Sequence, residues 1–207
     1  MQAAPADHPT EGRAKEKGEF RRAFPVALCA LVLLAGLGLT AKALYIPVKA
    51  EVAQVLLDRA FDQSLSSGSP VKPWSWADTA PLARISVERL GVSEVVLSGG
   101  SGEAMAFGPT ALLDNPAGRV TVLAAHRDTH FGFLRDLAVG DVVRLQRIDG
   151  HEAYYRISSM QTVRWDEFGV PADGGDGLLA LTTCYPFGTD RPGPLRRVAW
   201  ARRIDAG

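Results

Sequence analysis

A long apolar segment near the amino terminus constrains this 207-residue chain more than any other feature. Residues 23–41 contain no charged side chain, and the segment is close to the ~20 residues that an α-helix needs to cross a bilayer. Arg21 and Arg22 stand directly before it, and basic residues prefer the cytoplasmic side of a membrane. The sequence therefore predicts a single-pass anchor in the cytoplasmic (inner) membrane over residues 23–46, with the carboxy-terminal part on the exoplasmic or periplasmic side.

A cleaved signal peptide is the alternative interpretation of the same segment. Ala41 and Ala43 have the small side chains and the spacing that a signal peptidase accepts after an apolar core. The apolar run is longer than the usual ~7 to 15 residues of a signal-peptide core, which favours an anchor that is retained. The polar residues 1–22 show no apolar periodicity and are predicted to form a short disordered cytoplasmic tail.

Residues 47–73, between the anchor and the globular part, have the pattern of a helix followed by a linker. Apolar residues recur there at helical spacing, at Val48, Val52, Val55, Leu56 and Phe61. Residues 64–73 are rich in serine, glycine and proline, which end a helix. One domain of ordinary size is predicted over residues 74–207.

Short β-type segments dominate that domain. They are residues 82–87, 92–98, 119–125, 142–148, 153–160, 178–183 and 196–204. Asp149 and Gly150 separate two of them and predict a hairpin, because both central positions of such a tight turn favour positive φ. Many short strands with little helix between them favour a barrel or a sandwich, so the predicted fold class is mainly β with a partly antiparallel sheet.

The two cysteines of the chain lie in very different surroundings. Cys29 is inside the apolar segment, whereas Cys184 follows a strand segment far downstream, so the two are not expected to pair. A lone thiol in an oxidising compartment calls for a chemical explanation. The alternative is that Cys184 is a small buried residue of the core.

Two further side chains stand at strand ends from which they could reach Cys184. His126 follows the strand segment 119–125, and Arg196 opens the last strand segment. Together the three residue types suit acyl transfer, in which a thiolate attacks a carbonyl, an imidazole moves the proton and a guanidinium holds the oxyanion. Because a nearby cation favours the thiolate, an electropositive pocket around Cys184 is predicted.

Short sequence words around these residues carry a family resemblance. AAHRDTHF contains His126, LTTCYPF contains Cys184 and GPLRRV contains Arg196, with PWSWAD, AFGPT and HFGFLRDLAVGD as further words. From about Val48 to the carboxy terminus the chain resembles the sortases, most closely the Gram-negative class of these membrane-anchored cysteine transpeptidases. The resemblance implies a closed eight-stranded sortase-type β-barrel with short helices, and an active site at the barrel mouth.

The same resemblance assigns roles to individual residues. Cys184 corresponds to the family nucleophile, His126 to its acid/base and Arg196 to its anion stabiliser. Thr183 corresponds to the threonine that precedes the cysteine and lines the substrate groove. Arg197 is the rival for the arginine role, but the word Pro-Leu-Arg and the two-residue alternation of a strand favour Arg196.

Asp128 and His130 are further candidates for the substrate-binding site. A carboxylate near His126 could orient the imidazole ring and fix its tautomer. The alternative is that both are polar loop residues that contact solvent or backbone.

The resemblance also implies a reaction and its partners. The substrate is a surface protein with a carboxy-terminal sorting signal similar to Leu-Pro-x-Thr-Gly, which is cleaved through a thioacyl intermediate. The acceptor is an amine on a protein or a cell-envelope component, and the N-terminal helix binds the membrane. No cofactor and no metal are implied. The 23 basic and 23 acidic residues balance, and no nucleic-acid partner is predicted.

Three other functions remain open at this point. An L,D-transpeptidase or another exported thiol hydrolase also pairs cysteine with histidine, although in the former the histidine lies just before the cysteine, where this chain has Thr182 and Thr183. A zinc hydrolase could use His126, His130 and Cys184 as ligands, but neither HExxH nor CxxC occurs. A non-enzymatic, membrane-tethered binding module would give Cys184 a structural role only.

Overall fold

The computed structural model describes residues 11–100, 102–115, 119–189 and 191–205. The chain divides into two compact units, which are Met1–Ala50 and Glu51–Gly207. The helices are α1 (Glu11–Ser67) and α2 (Gly102–Met105), and the strands are β1 (Pro81–Val87), β2 (Val92–Leu97), β3 (Thr110–Asn115), β4 (Val120–Ala124), β5 (Val142–Arg147), β6 (Glu152–Arg164), β7 (Leu178–Tyr185) and β8 (Leu195–Ile204). Single 3-10 turns occur at Glu88–Leu90 and Gly132–Arg135.

The described part of the first unit is the amino-terminal portion of α1. Over the described residues, the segment Leu28–Ser67 is the one candidate long and apolar enough to cross a bilayer, and a signal sequence near the amino terminus has the same properties. Residues 11–22, predicted to be disordered, are helical. Their glutamate, lysine, arginine and alanine residues favour helix, which explains the difference. Residues 1–10 of the predicted tail lie outside the described residues.

The second unit is built on a closed barrel of eight strands in the described residues, in the order β1-β2-β3-β4-β7-β8-β6-β5. Most neighbouring strands are antiparallel, whereas β2 with β3 and β4 with β7 are parallel. The predicted mainly β fold with a closed eight-stranded barrel and short helices is therefore confirmed. Each of the seven strand segments read from the sequence corresponds to a strand, and β3 is the strand that the sequence pattern did not indicate.

The predicted hairpin is present between β5 and β6, but its turn differs from the expected one. The N–H of Gly150 donates to the carbonyl of Arg147 at 3.0 Å, and Gly150 has a φ of 85°. Among the described non-glycine residues only Arg119 has a positive φ, so Asp149 does not adopt the predicted conformation. A glycine at the one left-handed position is sufficient for this hairpin.

Apolar side chains pack on both faces of the barrel wall. The residues of β7 alternate between the two sides: Leu179 and Leu181 belong to the large interior cluster, whereas Leu178 and Ala180 belong to a separate cluster on the outer face. The outer cluster also contains Val120, Val122, Val198 and Trp200, and Phe168 and Val170 from the β6–β7 connection pack against it. A strand that is covered on both sides reads as a continuous apolar run, as 178–183 does.

The last turns of α1 pack against the outside of β2. Leu57 and Phe61 are fully buried there with Val95 and Leu97. The helix expected from the apolar spacing is present as part of α1, and Val48, Val52 and Val55 are each at least half exposed. The second unit begins at Glu51 by packing, whereas the sequence placed the start of the domain at residue 74.

Candidate active site

The candidate site is built on the three neighbouring strands β4, β7 and β8. Strand β7 pairs in parallel with β4 and antiparallel with β8. Paired residues on adjacent strands point to the same side of a sheet, and side chains alternate sides along each strand. The register of the two pairings therefore decides which functional side chains share a face.

The antiparallel register brings the predicted nucleophile and the predicted anion stabiliser together. Cys184 lies directly opposite Arg196, and Val163 of β6 lies opposite Arg196 on its other side. Both Cys184 and Arg196 are half-buried. A thiol and a guanidinium thus occupy one cross-strand pair on the outer face of the barrel, close to the end of β7.

The parallel register brings the segment that carries His126 to the same end of the barrel wall as Cys184. Ala124 pairs with Thr182, and the N–H of Ala125 continues the ladder by donating to the carbonyl of Thr182 at 3.4 Å. Two residues beyond this pair, the chains reach His126 and Cys184. Cys184 and Arg196 are thus a cross-strand pair, and His126 follows directly after the end of the neighbouring strand β4, where it is exposed to solvent.

Backbone hydrogen bonds hold the segment that carries His126. The N–H of Phe131 donates to the carbonyl of His126 at 3.0 Å, and Phe131 is fully buried in the interior cluster. The hydroxyl of Thr183 donates to the carbonyl of Ala125 at 2.7 Å. One hydrogen bond thus holds the carbonyl before His126, and a second holds the carbonyl of His126 itself.

Thr183 itself lies on the face of the sheet opposite to Cys184 and Arg196. Its side chain is buried, and it lies on the same face as Leu179 and Leu181, which belong to the interior cluster. This location supports a role in positioning His126 through Ala125. The predicted contact of Thr183 with a substrate stays a prediction.

Asp128 and His130 follow His126 in a turn, and each has a partner of its own. The carboxylate of Asp128 contacts the Nε of Arg127 at 3.4 Å. The Nδ1 of His130 lies 2.8 Å from an Oε of Glu94, and both of these side chains are mostly buried. The structure therefore gives both residues contacts within the protein, and their roles toward His126 or a substrate stay predictions.

Arg197, the rival for the arginine role, belongs to the other face of the sheet. It lies opposite Thr183 on β7, and its Nη1 donates to the hydroxyl of Thr162 at 3.4 Å. Arg196 instead donates from Nη1 to the carbonyls of Gly193 and Leu195, at 2.9 and 2.8 Å. The strand register thus separates the two arginines onto opposite sides of the barrel wall.

Two polar side chains near the site were not identified from the sequence. The hydroxyl of Thr182 is buried on the face of Cys184 and has no hydrogen-bond partner among the described residues. Arg127, directly after His126, is buried and donates a hydrogen bond to the carbonyl of Arg191, in the connection between β7 and β8. The adjacency of Arg127 to His126 was visible in the sequence, but an arginine beside a loop is usually solvated, and nothing local marks it as buried.

The zinc-site alternative finds no support in the arrangement of the ligands. Within the described ranges, no group of three or more His, Cys, Asp or Glu side chains could hold a metal ion. His130, one of the three ligands considered, is directed at Glu94. Cys29 and Cys184 are both free thiols, as expected from their places in the sequence.

A polar pocket of about 290 Å³ opens at the opposite end of the barrel. Arg147, Tyr155 and Arg203 are among its lining residues, and Arg147 is paired with Asp114. Burial raises the pKa of Tyr155, so its hydroxyl stays neutral over the physiological range. None of the candidate catalytic residues lines this pocket.

Fold and site together define a closed β-barrel protein that presents a half-buried thiol beside a guanidinium at the ends of adjacent strands. The family model of the Sortase domain matches residues 85–204, more than half of the chain. The chain therefore belongs to the sortase family, and the family resemblance read from the sequence is confirmed.

Solved sortase structures agree with this assignment. Sortase A from Corynebacterium diphtheriae is similar with a TM-score of 0.56 at 20% identity, over 64% of this chain and 64% of that enzyme. A pilus-related sortase C of Group B Streptococcus gives 0.52 at 26% identity, over 60% and 68%. Sortase C from Clostridium perfringens, solved with the C-terminal cell wall sorting motif, gives 0.53 at 18% identity, over 76% and 90%.

These structural similarities show the barrel fold and no more, because the sequence identities are low. The chain spans less than two thirds of the length of the diphtheria enzyme. A comparison with curated protein sequences gave no match.

Proposed function

We propose that this sortase is a membrane-anchored cysteine transpeptidase that cleaves a carboxy-terminal sorting signal and joins the new acyl end to an amine at the cell surface. The observation that carries the proposal is the cross-strand pair of Cys184 and Arg196 in a sortase barrel, with His126 directly beyond the end of the adjacent strand β4. Each of the three residue types has a distinct role in acyl transfer.

In the first half-reaction the sulfur of Cys184, as a thiolate, attacks the threonyl carbonyl carbon of the sorting signal. The carbonyl oxygen takes the negative charge, and the guanidinium of Arg196 donates hydrogen bonds to it. When the C–N bond breaks, protonated His126 gives its proton to the departing amine. A thioester on Cys184 remains, and the carboxy-terminal fragment leaves.

In the second half-reaction an amine attacks the thioester carbonyl, and His126 accepts the proton that the amine loses. Arg196 again binds the oxyanion, the C–S bond breaks, and Cys184 returns as a thiolate. The product is a new amide bond. Water competes with the amine at this step, so access to the thioester decides the ratio of transfer to hydrolysis.

Three further observations support the finer features of the proposal. An apolar helical segment near the amino terminus supports anchoring, with the barrel on the exoplasmic or periplasmic side. The sorting motif bound to the Clostridium perfringens sortase C supports a similar substrate for this chain. The sequence words around His126 and Cys184 support the Gram-negative class.

The test uses the full-length chain in detergent micelles, a peptide containing Leu-Pro-Ala-Thr-Gly, and triglycine as the amine. We expect cleavage after threonine and a product in which triglycine is joined to the threonyl carboxyl, both detected by mass spectrometry. Cys184→Ala abolishes both products, whereas Cys29→Ala, which removes the other thiol, retains them. Cleavage by the Cys184→Ala variant contradicts the proposal, and so does wild-type protein that forms neither product with any sorting-signal peptide.

A further inference from the structure

Arg127, the residue directly after His126, has an unusual environment for an arginine. Its side chain is 6% exposed. Burying a guanidinium is costly unless hydrogen bonds and charge partners replace its water. The partners of Arg127 therefore indicate what its burial achieves.

Most of the hydrogen bonds from this guanidinium go to one loop. Nη2 donates to the carbonyl of Thr189 and, at 2.9 Å, to the carbonyl of Arg191. Nε lies 3.4 Å from the exposed carboxylate of Asp128, and Nη1 is buried without a partner among the residues that the structure describes. Arg127 thus binds the backbone of the connection between β7 and β8, residues 186–194, which we call the β7–β8 loop.

The same loop is held at its far end by the candidate anion stabiliser. Arg196 donates from Nη1 to the carbonyl of Gly193 at 2.9 Å. At the near end, Phe187 packs against the interior cluster. The loop that links Cys184 to Arg196 is therefore tied down at its start, its middle and its end, and Arg127 supplies the middle contacts.

We propose that Arg127 is a positioning residue that sets the place of the Arg196 guanidinium through the β7–β8 loop. The carbonyl of Gly193 directs Nη1 of Arg196, and the carbonyls of Thr189 and Arg191 connect that part of the loop to the segment that carries His126. Arginine suits this role because its planar fork donates in several directions at once, whereas lysine is a point donor on a flexible stem. The inference rests on the proposed role of Arg196 as the anion stabiliser.

A positioning role predicts a specific kinetic signature. Arg127→Lys keeps the charge but loses the fork, so kcat for peptide cleavage is expected to fall about tenfold or more, since small displacements of a catalytic group are costly. KM is expected to stay within about threefold, because binding in the ground state does not use the oxyanion contact. Arg156→Lys is the matched control, since exposed Arg156 also donates to a backbone carbonyl, that of Gly140, away from this loop.

A double-mutant cycle with Arg196→Lys separates action through Arg196 from an independent effect. If Arg127 acts through Arg196, the double variant is about as slow as Arg196→Lys alone. If the kcat of the double variant falls by the product of the two single losses, the proposal is overturned. An Arg127→Lys variant with wild-type kcat also overturns it. Arg127→Gln, which keeps amide donors without a buried charge, provides the second variant if Arg127→Lys does not fold.

Hydrogen exchange of the full-length chain gives a readout that needs no turnover. The backbone amides of the loop residues 187–189, 191 and 193 are expected to exchange faster in Arg127→Lys than in wild type, while peptides from β7 and β8 keep their protection. Unchanged exchange in the loop overturns the proposed contact. If wild type forms no acyl product at all, the proposed function fails, and the exchange result still decides whether Arg127 holds the loop.

Discussion

Cys184 and Arg196 lie opposite each other across the antiparallel pair of β7 and β8. The two residues are twelve positions apart in the chain, and the strand register brings them to one face of the barrel wall. The next pair, Thr183 with Arg197, belongs to the other face. A shift of the register by one residue would exchange these roles, so the assignment of the arginine depends on this pairing.

The first prediction compares the two neighbouring arginines. Arg196→Ala removes the proposed donor to the oxyanion, and kcat is expected to fall about 100-fold or more. Arg197→Ala removes a side chain from the opposite face, and kcat is expected to stay within about threefold of wild type. Steady-state cleavage of the sorting-signal peptide measures both. Equal losses, or a larger loss for Arg197→Ala, would show that the register does not select the catalytic arginine.

A second prediction concerns the hydroxyl of Thr183. Thr183→Val keeps the shape of the side chain but leaves the carbonyl of Ala125 without its donor, which is expected to cost about 1–3 kcal/mol of unfolding free energy. Thr183→Ser keeps the hydroxyl and should recover most of this loss. Urea denaturation measures both variants. A Thr183→Val protein as stable as wild type would contradict the role assigned to this hydrogen bond.

Gly174 provides a prediction about the close approach between the β6–β7 connection and the start of β4. A Cβ at Gly174 would lie 2.4 Å from the carbonyl oxygen of Arg119. Gly174→Ala is therefore expected to lower the unfolding free energy by about 1–3 kcal/mol. Gly169→Ala is the matched control in the same connection, because a Cβ there has no atom within 4 Å. Equal stability of the two variants would contradict the close approach.

Asp141 gives a prediction about pH. Its carboxylate accepts hydrogen bonds from Arg89 at 2.7 Å and from the N–H of Ala138 at 2.8 Å. The hydrogen bond from Arg89, more than any other contact, lowers the pKa of Asp141 below its ordinary value. A carboxyl whose pKa is lowered by folding stabilises the protein above its unfolded pKa of about 3.9, and this contribution is lost as pH falls through the folded pKa.

Asp141→Asn is accordingly expected to be less stable than wild type at pH 7. The difference in unfolding free energy should shrink as pH falls below about 4, because the wild-type carboxyl becomes protonated. Denaturation curves between pH 7 and pH 2 measure it. A difference that stays constant over this range would contradict the linkage.

Much of the barrel could be predicted from local sequence patterns, because most of its strands bury at least one face. β3 was missed because its burial does not alternate: Leu112 and Leu113 are adjacent and both exposed. The helix of α1 was predicted, but apolar residues at helical spacing do not show which face meets the barrel. Leu57 and Phe61 decide it only once β2 is in place.

The candidate site, like the fold, could be predicted only in part from local sequence patterns. His126, Cys184 and Arg196 were identified by residue type, by their places at strand ends and by the family resemblance. The common face of Cys184 and Arg196 follows from the register of β7 with β8, which no local pattern specifies. The burial of Arg127 depends on distant segments that contact it, so no local pattern indicates it.

The most direct measurement is the mass of the intact protein after brief reaction with a sorting-signal peptide. The full-length chain in micelles is mixed with the peptide, quenched in acid, and digested to locate the adduct. We expect an added mass equal to the peptide through its threonyl residue, attached to Cys184 and removed by hydroxylamine, as a thioester requires. An unmodified Cys184 in protein that nevertheless cleaves the peptide, or an adduct on Cys29, would contradict the assignment of Cys184 as the nucleophile.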